Sequence, residues 1–100
     1  MEIKKKMENG TCTLALEGRI DTKTAPDFTQ ALLQILDEVQ EVFIDLEGVV
    51  YVSSAGLRAF LNGQKKANKA KKRMILRNVS EEVMEVFEMT GFASDILEIE

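Results

Sequence analysis

The chain has 100 residues, a length that suits one domain, and 45% of them are hydrophobic, which is enough to build one core. Its formal net charge is −4, and it contains no histidine and one cysteine. The missing histidines and the lone cysteine exclude a Ser-His-Asp triad, histidine metal ligands, a thiolate zinc site and an internal disulfide. We expect a single domain over residues 1–100.

The chain begins with a predicted antiparallel hairpin. Strand-like runs at residues 3–7 and 11–17 flank Glu8-Asn9-Gly10, and Asn-Gly is typical of a hairpin turn because both residues accept positive φ. In the second run, Cys12 alternates with two leucines, so we expect a small buried side chain rather than a reactive thiol.

A helix is predicted to follow the hairpin. Thr24 can cap its start, Pro26 is tolerated in its first turn, and Asp27 can reach back as a variant of the capping box. Its apolar residues recur at helical spacing and predict one buried stripe, made of Phe28, Leu32, Ile35 and Leu36.

The middle of the chain predicts a strand and then a long helix. Residues 42–46 are a short apolar run typical of a buried strand, and the helix is expected from about Ser54 to Ala70. Four residues at positions i, i+3, i+4 and i+7 define the expected inward face of this helix: Leu57, Phe60, Leu61 and Gln64.

The last part of the chain predicts another strand, another helix and a short final element. Residues 74–76 form an apolar strand, and Ser80 caps a helix whose acidic first turn suits the helix dipole. Gly91 ends this helix, whose inward residues are expected to be Val83, Val86 and Phe87. Residues 96–99 form a short element, either helix or strand.

Alternating strands and helices predict an α/β fold. We expect a mixed, mainly parallel sheet of four or five strands, with an N-terminal antiparallel hairpin, packed with three or four helices. Right-handed crossovers bring the junctions at residues 19–24 and 50–54 to one edge of the sheet, where binding surfaces usually form. The expected composite surface comprises Arg19, Asp21, Thr22, Thr24, Tyr51, Ser53, Ser54, Gly56 and Arg58. An alternative is that Asp21 and Thr24 only cap their own helix.

Two adjacent hydroxyls, on Ser53 and Ser54, stand where an apolar strand region gives way to a helix. One of them is at or next to the N-cap, where a side-chain oxygen can accept from free N–H groups and the helix dipole favours an anion. A hydroxyl at this place faces solvent and tolerates a phosphate. The alternative is that the pair is only a helix cap.

Three sequence blocks carry a resemblance to a known family. Residues 45–58, which read DLEGVVYVSSAGLR, resemble the anti-sigma-factor antagonist family, the STAS domain. Residues 17–26 look like the first strand-to-helix junction of that family, and residues 78–92 look like its last helix and the exit from it. The resemblance spans nearly the whole chain in the right order and implies a STAS-like fold.

The resemblance also implies a function. A member of this family in its unmodified form binds an anti-sigma factor that is also a serine/threonine kinase, and the sigma factor is released. Phosphorylation of a serine at the helix start prevents this binding, and a serine phosphatase reverses it. The family acceptor immediately precedes a small residue and Gly-Leu, which maps it to Ser54. This chain has Ser53 where several members carry Asp, and Ala55 where they carry a hydroxyl residue or Gly.

Other functions remain as alternatives. A STAS domain can also serve as a protein-docking subunit of a membrane transport assembly, and weak nucleotide binding near Asp21 is a further possibility. The chain has neither a phosphate-cradling Gly-rich loop nor a Gly-x-Ser-x-Gly elbow, so it is not expected to be an enzyme, and no cofactor or metal is expected.

A basic run near residue 70 raises the question of nucleic acid or an anionic membrane surface. It comprises Lys65, Lys66, Lys69, Lys71, Lys72 and Arg73. Cations at a helix C-terminus complement its dipole, and the run lacks interleaved aromatic residues, so we expect a solvated helix end without direct nucleic-acid contact. The chain has no apolar run of about 18 residues and no signal-peptide core, so we expect a cytoplasmic protein without membrane insertion.

Overall fold

The computed structural model describes residues 1–100. The protein is built on one five-stranded sheet with the strand order β1-β2-β3-β4-β5. β1 is antiparallel to β2, and the remaining neighbours are parallel. This architecture confirms the predicted α/β fold. The elements are β1 Glu2–Glu8, β2 Thr11–Ile20, α1 Ala25–Glu38, β3 Glu41–Val52, α2 Ser54–Ala70, β4 Arg73–Arg77, α3 Glu81–Met89, α4 Phe92–Asp95 and β5 Glu98–Ile99.

The hairpin turn forms as its sequence predicts. Asn9 and Gly10 both have positive φ, at 44° and 82°, which matches the twist that a two-residue turn needs between antiparallel strands. Cys12 is fully buried, as predicted, and burial raises the pKa of its thiol.

The two central strands are longer than the sequence predicts. β2 continues to Ile20 and β3 to Val52, so the expected ends at residues 17 and 46 are wrong. The register between them shifts near Gly18, which has φ of 107°, and such bulges let pairing continue where apolar alternation has stopped. The extended ends carry the candidate site.

The core lies between the sheet and the helices. Alternate residues of β2 and β3 are buried against the helical layer, whereas the residues between them are only partly covered. The three long helices meet at Phe28, Phe60 and Phe87, whose rings pack edge to face with centroids 5.0 Å and 5.5 Å apart. These contacts hold α1, α2 and α3 together in one layer.

The inward face of α2 is rotated from the predicted one. Leu57 and Leu61 are only half-buried, and the residues that face the core are Gly56, Ala59, Phe60, Gly63, Gln64 and Ala67. Small residues are needed there because α2 lies very close to α1: a Cβ at Gly63 would overlap the Leu32 side chain. The predicted stripe was therefore right for Phe60 and Gln64 and wrong for Leu57 and Leu61, because the short distance between the helices favours small residues over leucines on the inward face.

The C-terminal part follows the predicted order with two refinements. The Ser80 Oγ caps α3 by accepting from Val83 N at 3.2 Å, whereas Val86 is half-buried rather than fully inward. The undecided element at residues 96–99 is a strand, β5, which pairs with β4 in parallel, and the one-turn helix α4 precedes it.

Part of the basic run braces the end of α1. Lys66 Nζ donates to Leu33 O at 2.7 Å and lies 2.8 Å from Asp37, and Lys72 Nζ donates to Leu36 O. Leu36 O is one of the last four carbonyls of α1, which lack intrahelical donors, so Lys72 supplies a donor there. None of the helices is both long and apolar enough to cross a membrane.

Candidate functional site

The ends of β2 and β3 bring the two predicted junctions together. Ile20 and Val52 are paired residues, and Ser53 N donates to Ile20 O at 2.9 Å. The loop that leads into α1 and the start of α2 are therefore neighbours at the carboxyl edge of the sheet, as the topology predicts.

The two serines at the start of α2 have different roles. Ser53 is the N-cap, and its Oγ accepts a hydrogen bond from Gly56 N at 3.3 Å. Ser54 is the first residue of the helix; it is exposed, and its hydroxyl has no hydrogen-bond partner within the chain. The capping role and the accessible hydroxyl therefore belong to separate residues.

The start of α2 is electrostatically open to an anion. The first turn of α2 contains no acidic side chain, whereas the first turns of α1 and α3 hold Asp27 and the pair Glu81 and Glu82. The free N–H groups of a helix start carry partial positive charge. Nothing in the first turn of α2 offsets that charge at Ser54.

Gly56 supports this surface from below. It is buried, and a Cβ built on it would lie 2.9 Å from Ile20 O and 2.9 Å from Val52 Cγ1. The prediction that Gly56 contacts a partner is therefore corrected: the glycine lets the helix start approach the two strand ends.

A closed set of hydrogen bonds shapes the loop before α1. Asp21 Oδ1 accepts from Lys23 N at 3.0 Å and Thr24 N at 3.2 Å, while Thr24 Oγ1 accepts from Asp21 N and donates to Arg19 O. The backbone N–H of Thr24 is the main cause that lowers the pKa of Asp21. Thr24 holds the N-cap position of α1 but makes no cap hydrogen bond into it, so the predicted Thr24 cap and the Asp27 capping box are wrong. Asp21 instead caps the turn that leads into α1, because its Oδ1 accepts from the N–H groups two and three residues on and its carbonyl accepts from Ala25 N at 2.8 Å, so the capping alternative holds for Asp21.

Arg19 and Tyr51 form one corner of the surface. The guanidinium carbon of Arg19 lies 4.3 Å from the centroid of the Tyr51 ring, and its Nε lies 3.7 Å from Asp21 Oδ2. This stack links the Asp21 loop to the end of β3. Beside it, Val50 is 69% exposed, an apolar residue that the sequence analysis did not single out.

An open groove runs between α1 and α2 next to the helix start. Its volume is about 410 Å³, and it is lined by Thr22, Ala25, Pro26, Thr29, Gln30, Ala55, Arg58, Ala59 and Asn62. Only Thr22 and Arg58 among these residues were predicted from the sequence to belong to the surface. Small or polar residues at helical spacing on both helices were the signal that could have found the others.

The polar groups of this surface either bond within the chain, as Asp21 does, or stand free, as the Ser54 hydroxyl does. No group of three or more acidic or cysteine side chains is arranged to hold a metal ion. The Ser54 hydroxyl has no hydrogen-bonded base, and the Oδ1 and Oδ2 oxygens of Asp21 both face partners within the chain. The arrangement presents an alcohol, an aromatic corner and a groove to an approaching molecule.

Sequence comparison places the chain among known proteins. The family model of the STAS domain matches residues 2–100. The "Anti-sigma-B factor antagonist" of Listeria monocytogenes is 36% identical over 83 residues, which are 82% of this chain and 72% of that protein. The "Anti-sigma-B factor antagonist" of Staphylococcus aureus strain NCTC 8325 is 31% identical over 75 residues, which are 74% and 69% of the two chains.

Solved structures share the fold. The anti-sigma factor antagonist SpoIIAA in its unphosphorylated form matches with a TM-score of 0.78 at 18% identity, covering 99% of this chain and 87% of that one. The phosphorylated form of the Bacillus cell fate determinant SpoIIAA matches with a TM-score of 0.77 at 18% identity, covering 99% and 91%. Since the family model spans residues 2–100 and the fold agrees, the chain belongs to the STAS-domain family, among its anti-sigma factor antagonists.

Proposed function

We propose that this chain is an anti-sigma factor antagonist whose binding is switched at Ser54. The unmodified form binds an anti-sigma factor serine/threonine kinase, and the sigma factor is released. Phosphorylation of Ser54 prevents that binding, and a serine phosphatase restores it. The same proposal places the chain in the cytoplasm, where sigma factors direct transcription.

One observation carries the proposal: Ser54 exposes an unbonded hydroxyl at the start of α2 while Ser53 caps the helix. A modification of Ser54 therefore leaves the cap intact. The printed names of the Listeria and Staphylococcus relatives, and the existence of SpoIIAA in phosphorylated and unphosphorylated forms, support the same proposal.

The magnitudes favour a switch in binding over a switch in structure. A phosphate adds roughly −1.5 to −2 charges, and at a helix N-terminus its local stabilisation is about 0.3–1 kcal/mol. The fold therefore tolerates it. A partner that packs over Ser54 desolvates the same anion without supplying a cation of its own, at a cost of about 3–5 kcal/mol, which corresponds to roughly several hundredfold or more in affinity.

The proposed docking face surrounds Ser54. Its exposed members come from the Arg19–Tyr51 corner, the Asp21 loop and the groove, and Val50 adds an exposed apolar side chain near the end of β3. The partner-binding residues proposed are Arg19, Asp21, Thr22, Thr24, Val50, Tyr51, Ser53, Ser54 and Arg58.

The experiment is to incubate the chain with ATP and candidate anti-sigma factor kinases, and to locate the phosphate by mass spectrometry. Ser53→Ala serves as the matched control, because it keeps the proposed acceptor and removes the neighbouring hydroxyl. We expect phosphate on Ser54 in the wild type and in Ser53→Ala, and none in Ser54→Ala. Phosphate on Ser53 alone, or its persistence in Ser54→Ala, would contradict the assignment.

A further inference from the structure

Arg58 differs from the other arginines of the chain in having no partner. The chain contains four arginines, and three of them face carboxylates or aromatic rings. Those partners are Asp21 and Tyr51 for Arg19, Glu41 and Glu98 for Arg73, and Glu100 and Phe43 for Arg77. Arg58 is exposed and forms neither an ion pair nor a side-chain hydrogen bond. Its guanidinium is therefore available.

The position of Arg58 on α2 directs it toward Ser54. The two residues are four apart on the helix, where side chains are neighbours with Cβ atoms roughly 5–6 Å apart. Helical side chains lean toward the N-terminus, so residue 58 covers the surface of the turn that begins at Ser54. No acidic side chain in the first turn competes for the guanidinium.

Arg58 also determines the charge of the groove between α1 and α2. Nine residues line this groove, and Arg58 is the one charged residue among them. The other lining side chains are alanine, proline, threonine or carboxamide residues. Any change that moves the Arg58 guanidinium therefore changes the electrostatic character of the whole groove.

We propose that Arg58 binds the phosphate when Ser54 is phosphorylated and thereby withdraws the only cation from the groove. This inference rests on the proposed function for the occurrence of the phosphate. A guanidinium presents paired donors that match two phosphate oxygens, and the helix start attracts the same charge. Phosphorylation then alters two parts of the docking face: it adds an anion at Ser54, and it leaves the groove without a counter-charge for a partner carboxylate.

The test measures the second pKa of phosphoserine 54 by ³¹P NMR. Phosphoserine is encoded genetically at position 54 in the wild type, in Arg58→Gln and in Lys65→Gln, which removes an exposed cation further along α2. An adjacent guanidinium favours the dianion, so we expect the wild-type pKa to be lower than that of Arg58→Gln by about 0.5. Lys65→Gln should match the wild type. Equal pKa values in the wild type and Arg58→Gln would show that Arg58 does not bind the phosphate on Ser54.

A second readout follows the guanidinium itself. The ¹⁵Nε–H signal of Arg58 should shift when residue 54 carries phosphate, while the signal of Arg73, which is already paired, should not. An unchanged Arg58 signal would also overturn the proposal. Because Arg58 is exposed, Arg58→Gln is expected to fold, and its amide spectrum checks this.

The measurements distinguish two failures: that Arg58 does not bind the phosphate on residue 54, and that the phosphate does not prevent partner binding. Genetically encoded phosphoserine needs no kinase, so the pKa and the Arg58 signal report on the pair whether or not a partner is present. Equal pKa values together with lost partner binding would overturn the pair and leave the switch. A lowered wild-type pKa with unchanged partner affinity would support the pair and overturn the switch.

Discussion

The separate roles of Ser53 and Ser54 predict that two neighbouring alanine substitutions affect stability differently. Ser53→Ala removes the Oγ that accepts from Gly56 N at 3.3 Å, so one N–H in the first turn of α2 loses its partner. Loss of a serine N-cap costs about 0.5–2 kcal/mol. This bond is longer than the usual length of about 2.9–3.0 Å, so we expect a loss of about 1 kcal/mol. Ser54→Ala removes an exposed, unbonded hydroxyl and should change stability by less than about 0.5 kcal/mol.

Urea unfolding and thermal melting, both followed by circular dichroism, measure this difference. For a domain of this size, about 1 kcal/mol corresponds to roughly 4–8 °C in Tm, so Ser53→Ala should melt lower by about that amount. Ser53→Asp is the matched control, because an aspartate at the N-cap accepts the same N–H and should restore stability. A loss in Ser54→Ala as large as that in Ser53→Ala would refute the assignment of the cap.

Three further predictions concern the packing of α2, the end of α1 and the Asp21 loop. Gly56→Ala places a Cβ 2.9 Å from the carbonyl oxygen that ends β2, and this overpacking should cost about 1–3 kcal/mol in urea unfolding. An unchanged midpoint would contradict the close approach of α2. Lys72→Met removes a charged donor from a last-turn carbonyl of α1 and should cost about 1 kcal/mol, whereas Lys65→Met, at an exposed position, should be neutral. Equal stabilities of these two variants would refute the brace. Because hydrogen bonds lower the pKa of Asp21, the ionised carboxylate stabilises the fold above about pH 4, and that stabilisation is lost as the pH falls below it. The Tm of the wild type should therefore fall more steeply than that of Asp21→Asn between about pH 4 and pH 2, and parallel curves would show that Asp21 does not contribute.

The features that could be predicted from the sequence are those decided by a few adjacent residues. The Asn9-Gly10 turn needs only two residues that accept positive φ, and the Ser80 cap needs only a hydroxyl before a helix. The bounds of α2 were also predicted, from Ser54 to Ala70, because helical spacing and a start signal agree there. The proximity of the junctions at residues 19–24 and 50–54 could be predicted because crossovers between parallel strands are right-handed.

The features that could not be predicted depend on distances between elements. The side chain of Thr24 turns to the Arg19 carbonyl rather than to its helix because the bulged end of β2 brings that oxygen within 2.7 Å. Val50 lies at the register shift between β2 and β3, where Gly18 pairs with Val49 and Arg19 pairs with Tyr51, so no residue of β2 pairs with it and its side chain is exposed. The inward role of Gly56 appears only when the packing of α2 on the strand ends is known.

The central claim is that a phosphate on Ser54 prevents partner binding and leaves the fold unchanged. The most direct test is isothermal titration calorimetry of the anti-sigma factor kinase against the chain with serine and with phosphoserine at position 54, alongside circular dichroism of both forms. We predict matching spectra and an affinity lower by roughly several hundredfold for the phosphorylated chain. Equal affinities of the two forms, or loss of the folded spectrum on phosphorylation, would contradict the account.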